Sequence, residues 1–138
     1  MQAEQTLESI FGAPIYAYSR AQALEDGVLV DVSETAREAG FRVPVAMTIA
    51  AWADTVEWTE ADSKRQTSQD ERGRLWDVVW MSYLAVRRGG MESRKAFQLL
   101  RVPRGGRGVR PRLTTLHIHI GAGDKGEPVI TIMQPQED

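Results

Sequence analysis

Apolar and polar residues follow several rhythms along the chain, and each change of rhythm marks an element. Ile15-Tyr16-Ala17-Tyr18 is aromatic and β-branched, a composition that fills a pleated surface and predicts a strand. Ser19 stands three residues before Gln22, the spacing at which the two side chains cap a helix start reciprocally. That short helix ends at Gly27, and Val28 to Val32 returns as a strand. Thr35 and Glu38 repeat the capping spacing, with Gly40 as the stop. Pro44 suits a first helical turn, and Val45, Ile49, Trp52 and Val56 recur at helical intervals, so a helix is predicted over 45–57. Thr59 to Gly73 is polar, with a further cap at Thr59. A second long helix, 71–88, opens at Asp70 and stops at Gly89-Gly90. Apolar residues cover so much of its circumference that it is predicted to be central and mostly buried. Strands follow at 96–102, 113–120 and 128–133. A flexible loop at Gly105 to Gly108 separates the first two, and a hairpin at Gly121 to Gly126 joins the last two.

These elements predict one α+β domain spanning 1–138, in which a small antiparallel sheet of C-terminal strands packs against the two longer helices. The predicted core is Ile49, Trp52, Val56, Leu75, Trp76, Val79, Trp80, Tyr83, Leu99, Leu116, Ile118, Ile120, Ile130 and Ile132. Three of the four tryptophans therefore read as core, and Trp58, between Glu57 and Thr59, as the partly exposed one. On this reading Trp76→Ala costs about 3–5 kcal/mol.

Composition narrows the class. The 138 residues are 42% hydrophobic and 26% charged, as in an ordinary globular chain. No apolar run approaches the ~20 residues of a membrane helix. The polar, acidic start Met1 to Glu8 is unlike a signal peptide, so a cytoplasmic location is expected. With no cysteine, disulfides, thiolate metal sites and cysteine nucleophiles are excluded.

Charge is unevenly spread although the net is only −2. Residues 1–86 hold seven basic and fourteen acidic side chains, whereas 87–112 hold nine basic ones against Glu92 alone. Arg101, Arg104, Arg107, Arg110 and Arg112, interleaved with glycines, form a segment able to follow a phosphate backbone or meet an acidic protein surface. A solvated hairpin loop accounts for them equally well.

Candidate chemistry is sparse. His117 and His119 sit two apart in a predicted strand, so both imidazoles share a face and are weak candidates to grip a metal with Asp124. The same alternation also works without metal, with Leu116, Ile118 and Ile120 facing the core. No Gly-x-Ser-x-Gly elbow and no glycine-rich dinucleotide or P-loop motif is present. The opening strand, Ser19-capped helix and second strand faintly resemble the entry of ADP-ribosyltransferases, whose late catalytic glutamate only Glu127 could supply here. No cofactor is expected, and the chain reads as a non-enzyme.

Longer stretches carry a closer likeness: Phe11 to Arg20, Asp26 to Ser33, Ala36 to Phe41, Gly73 to Val78, Leu99 to Arg104, Gly121 to Asp124 and Gly126 to Thr131. Through them the chain resembles an uncharacterised family of small proteins encoded on proteobacterial plasmids, prophages and integrative elements. The resemblance implies a mobile-element setting, where small acidic proteins often inhibit host defence, anti-CRISPR proteins among them. The expected partner is then a host defence complex such as a CRISPR effector. Glu57, Glu60, Asp62, Asp70 and Glu71 would imitate phosphates in its nucleic-acid channel, and Arg101 to Arg112 would meet an acidic patch. The alternative is an accessory protein that binds DNA or RNA through Arg101–Arg112 directly. Oligomeric state is open.

Overall fold

A computed structural model describes residues 18–138. Ser19 caps α1 (Arg20–Glu25) as its spacing predicts, accepting from the Gln22 N–H at 3.0 Å while Gln22 accepts from the Ser19 N–H. β1 (Leu29–Asp31) follows, then α2 (Ser33–Ala39). The N-cap of α2 is Val32, three residues before the expected Thr35, with no side-chain cap bond, and the helix closes at Gly40 as expected. Of the strand expected at Ile15–Tyr18, only Tyr18 lies among the described residues, and it belongs to no strand.

The helix predicted over 45–57 is corrected. Its first turn is a strand, β2 (Val45–Thr48), and only Ile49–Thr55 is helical, as α3. Val45, Ala46 and Met47 are all buried, because β2 lies inside the sheet with both faces covered. Such a strand reads as an unbroken apolar run, which periodicity does not separate from a helix. Thr48 marks the true helix start by accepting from the Ala51 N–H at 3.1 Å. Thr59 and Asp62 then form a capping box on α4 (Glu60–Arg65), and Asp70 caps α5 (Glu71–Arg87).

β3 (Arg94–Arg101), β4 (Arg112–Ala122) and β5 (Pro128–Met133) complete one sheet in the order β1-β2-β5-β4-β3. The three C-terminal strands are antiparallel as expected, but the sheet is mixed: β2 runs parallel to β5, with Val45 beside Ile130. Register places Phe97 and Leu99 of β3, Leu116 and Ile118 of β4, Ile130 and Ile132 of β5 and Met47 of β2 on one face. α2, α3 and α5 cover it, forming a single buried cluster. α1 reaches the other face, where Arg20 donates to Thr131 Oγ1 at 2.8 Å.

α5 is not buried in the way predicted. Val78, Val79, Ser82 and Ala85 face the core, while Trp76 and Trp80 are 36% and 38% exposed. Small side chains let the helix approach the sheet, and the bulky rings are left outside. Trp58, expected at the surface, is 5% exposed, and Ile49, expected in the core, is exposed. Trp52, Leu75, Tyr83 and Ile120 are half-buried against the core, and the other predicted core residues are buried.

Candidate interaction surface

Part of the acidic set and one member of the basic set, which the sequence assigned to two partners, meet each other within the molecule. Arg104 donates from Nε to Asp62 at 2.7 Å and pairs with Glu57 at 3.0 Å. Asp62 is 2% exposed and also accepts from Arg65 and from the Thr59 N–H and hydroxyl. The Arg104 hydrogen bond above all, with those from Thr59 and Arg65, holds its carboxyl well below the usual range. Asp70 accepts from the Gly73 N–H at 2.6 Å and Glu71 from the Trp58 N–H at 3.3 Å. Of the acidic set, Glu60 alone has no such engagement among the described residues.

Arg101 is likewise internal. It is 6% exposed and donates to the Thr55 and Arg74 carbonyls at 2.9 and 3.1 Å and to Asp77 at 2.9 Å. Beside it lies Arg74, which nothing in the sequence singled out except its place amid apolar neighbours. Arg74 is 3% exposed, its guanidinium 4.6 Å over the Trp58 ring, and it donates to the Val56 and Val102 carbonyls and to Gln69. Burial, then the nearby Arg101 charge, pushes its pKa down to about 10. A guanidinium still remains charged at neutral pH, so this cation is a structural tie between α3, α5 and the end of β3.

A second set of contacts, from the end of α4, steadies the basic loop. Gln66 donates to the Pro103 and Gly108 carbonyls at 2.8 and 2.7 Å and accepts from the Gly105 N–H, while Arg65 donates to the Gly106 carbonyl. The loop expected to be flexible is thus pinned to α4. Arg107, Arg110 and Arg112 project from it, exposed and with no ion pair among the described residues.

Next to the loop is an exposed aromatic ridge. Trp76 and Trp80 stack at 5.9 Å with planes 11° apart, Tyr83 continues the row at 5.7 Å, and the Arg87 guanidinium lies over Tyr83. Positions 76, 80, 83 and 87 recur at i, i+4, i+7 and i+11, so one stripe of α5 carries them all. The Trp76 end borders a cleft with Glu34, Glu38, Asp70 and Arg72. At Trp80 the ridge borders a groove with Met81, Leu99, Leu100 and Leu113 along β3, one of the two edge strands of the sheet.

His117 and His119 do share a face of β4, as their spacing predicts, with Met133 and Thr131 opposite them on β5. Arg94 donates to His117 Nδ1 at 2.8 Å, and burial, then that cation, lowers the His117 pKa. Asp124 is not near them in function: it accepts from the Arg20 and Ala21 N–H groups at 2.7 and 3.0 Å, closing the start of α1. Glu127 accepts from the Lys125 N–H within the hairpin. Among the described residues no group of three or more histidines and carboxylates is placed to hold a metal ion, and no helix is long and apolar enough to cross a membrane.

A family of unknown function, DUF6573, matches residues 9–138. The chain belongs to this family. No curated protein and no solved structure matches it. DUF6573 membership agrees with the likeness to an uncharacterised family read from the sequence, and it covers the whole sheet, the arginine tie and the ridge.

Proposed function

We propose that the chain is a non-catalytic binding protein that works by protein–protein contact, with the Trp76–Trp80 ridge as its contact surface. The observation that carries this is two adjacent tryptophans held in solvent on a rigid helix although the core beneath them is complete. Large aromatics are the residues most enriched where protein interfaces concentrate their binding energy, and exposing them without a partner is unfavourable. The partner in this reading is a host defence complex, a CRISPR effector being the candidate, met in the cytoplasm; the resemblance to proteins of mobile elements is what supports it. Phosphate imitation by Glu57, Asp62 and Asp70 is a weaker part of that reading, since those carboxylates are engaged internally.

The test is interference in living cells. Expression of the chain in bacteria with active CRISPR immunity should restore plaque formation by a targeted phage, and Trp76→Ala with Trp80→Ala should abolish the rescue. Unchanged immunity across the major CRISPR types would refute the defence reading.

A second reading is favoured by one observation, the three unpaired arginines of the 107–112 loop. Under it the loop contacts phosphates, and Arg107→Glu, Arg110→Glu, Arg112→Glu would abolish binding of a single-stranded oligonucleotide. Retention of a captured host protein after nuclease treatment separates the two.

A further inference from the structure

The two edges of the sheet differ. β1 offers three residues, whereas β3 offers eight, with no proline among them. One bond tells which backbone groups of β3 face the open side. The Ile120 N–H donates to the Ser93 carbonyl at 2.7 Å, extending the register that sets Arg94 opposite His119. Bonded positions alternate along an antiparallel pair, so Lys95, Phe97 and Leu99 turn their backbone groups to β4, and Arg94, Ala96, Gln98 and Leu100 turn theirs outward. Of these outward groups only the Leu100 carbonyl has a partner among the described residues, Arg101 Nε at 3.0 Å. Such a row is a template for another strand. Both sides of it are apolar. On the helix-covered face Trp80 and Met81 line a groove with Leu99, and Asp77 there is already paired with Arg101. On the opposite face Leu100 and its cross-strand partner Leu113 are 60% and 64% exposed. An added strand would send alternate side chains to each.

Charge decides whose strand fits. Lys95 donates to the Gly89 carbonyl at 2.7 Å, which brings the neighbouring Arg88 to the start of β3, and Arg112 stands opposite Arg101 at its end. Arg88 and Arg112 are exposed, with no ion pair among the described residues. Arg94 gives its hydrogen bonds to neutral acceptors, His117 Nδ1 and the Pro135 and Glu137 carbonyls. Cations therefore stand at both ends of the edge. A second copy of this chain is a poor occupant, because antiparallel pairing of β3 with β3 sets the Arg94 end of each copy against the Arg112 end of the other. Resting on the reading that the Trp80 side of α5 is a contact surface, we propose that the segment recognised there is an extended stretch of the partner protein, apolar in its middle and acidic at its ends, which joins the sheet as a sixth strand against β3. Its apolar side chains lie on Trp80 and Met81 to one side and on Leu100 and Leu113 to the other, and its carboxylates meet Arg88 and Arg112. Main-chain bonds supply affinity in such an addition, while the flanking pockets and charges choose the sequence.

Random peptides as long as β3, displayed and panned against the purified full chain, test this. Selected sequences should be apolar in the middle and acidic at the ends, and the strongest, made synthetically, should bind more weakly as salt is raised. Methylating alternate backbone nitrogens of that peptide should abolish binding in one phase of the alternation and spare it in the other, since only one set of amides faces β3. The protein is unaltered in that comparison, so no folding defect imitates the result. Gln98→Pro, which removes an outward N–H without touching a β4 bond, and separately Arg88→Glu with Arg112→Glu, should each weaken binding at least about tenfold. A panning that enriches nothing, or enriches basic or helical sequences, overturns the inference. So does a methylated pair that shows no difference between phases, or a dimer of the free chain that Gln98→Pro dissolves, which would make the occupant a second copy. The contact reading itself fails separately, if Trp76→Ala with Trp80→Ala leaves capture of a host protein unchanged. Capture that is lost in that double variant yet survives Gln98→Pro leaves the contact reading standing and removes the added strand.

Discussion

Gly40 is the position where one added methyl group should do the most damage. It closes α2 at φ 124° and ψ −2°, a conformation open to glycine and strained for any L side chain. Holding alanine there costs about 1–3 kcal/mol. Space adds a second penalty, because a Cβ at Gly40 would lie 2.6 Å from Tyr83 Cζ and 2.7 Å from its hydroxyl. That ring is not free to swing away. Phe41 meets it edge-on at 5.2 Å, Trp80 stacks at 5.7 Å, and Arg87 donates to its hydroxyl at 3.1 Å. Displacing the ring forfeits aromatic contacts of about 0.5–1.5 kcal/mol each. Gly40→Ala should therefore destabilise by about 3–5 kcal/mol, and in a chain of this size lower Tm by about 10–20 °C. Urea unfolding followed by circular dichroism reads it directly, as a fall in midpoint at unchanged slope. In a Tyr83→Ala background the same change should cost only the backbone strain, about 1–3 kcal/mol. A cost below about 1 kcal/mol in the parent, or strict additivity of the two substitutions, would refute the close packing of α2 on α5.

Arg74→Met strands the Val56 and Val102 carbonyls in the interior and should cost about 3–5 kcal/mol by the same unfolding assay. Arg74→Lys should not restore it, since an ammonium cannot both stack on Trp58 and span those acceptors. Trp76→Ala, by contrast, removes a half-exposed ring and one stacking contact, so a loss of about 1–2 kcal/mol replaces the 3–5 kcal/mol of a buried tryptophan. Asp62 is depressed in the folded chain, so its contribution is whole above the ordinary carboxylate pKa and is lost as pH falls through the folded value. Asp62→Asn should flatten the acid side of a stability-against-pH curve below about pH 4, and an unchanged acid limb would contradict its pairing with Arg104.

Local signals proved readable wherever the deciding contacts were themselves local. Ser19 with Gln22, Thr59 with Asp62, and Asp70 each cap the helix their spacing indicates, and the Gly121–Gly126 turn joins the strands on either side of it. Val45–Thr48 reads as helix from the sequence because burial on both faces erases the alternation that marks a strand. The tryptophans changed places for a related reason. Apolar residues all round α5 leave its orientation to be chosen by Ser82 and Ala85, whose smallness matters only once a sheet lies against them. The acidic and basic sets look like two surfaces along the chain, yet Arg104 and Asp62 are 42 residues apart and in contact. The ridge of Trp76 and Trp80 had the right period for a stripe, but no feature of the stripe says which side is wet.

The place of β5 in the sheet bears on how the protein is made. It is the last of the five strands in chain order, yet it lies between β2 and β4 and joins two halves that otherwise do not pair. Until residues 128–133 leave the ribosome, β1 with β2 is a two-stranded ribbon and β3 with β4 a separate hairpin, neither of which is stable in water. Val45, Met47, Ile118 and Ile120 lack their sheet neighbours Ile130 and Ile132 until that strand arrives. A nascent chain therefore depends on chaperones or on speed, and its core closes in one late step. A nonsense mutation before codon 128 should consequently yield material for proteases and no partly working fragment, even though every residue of the ridge, the arginine tie and the basic loop has by then been translated.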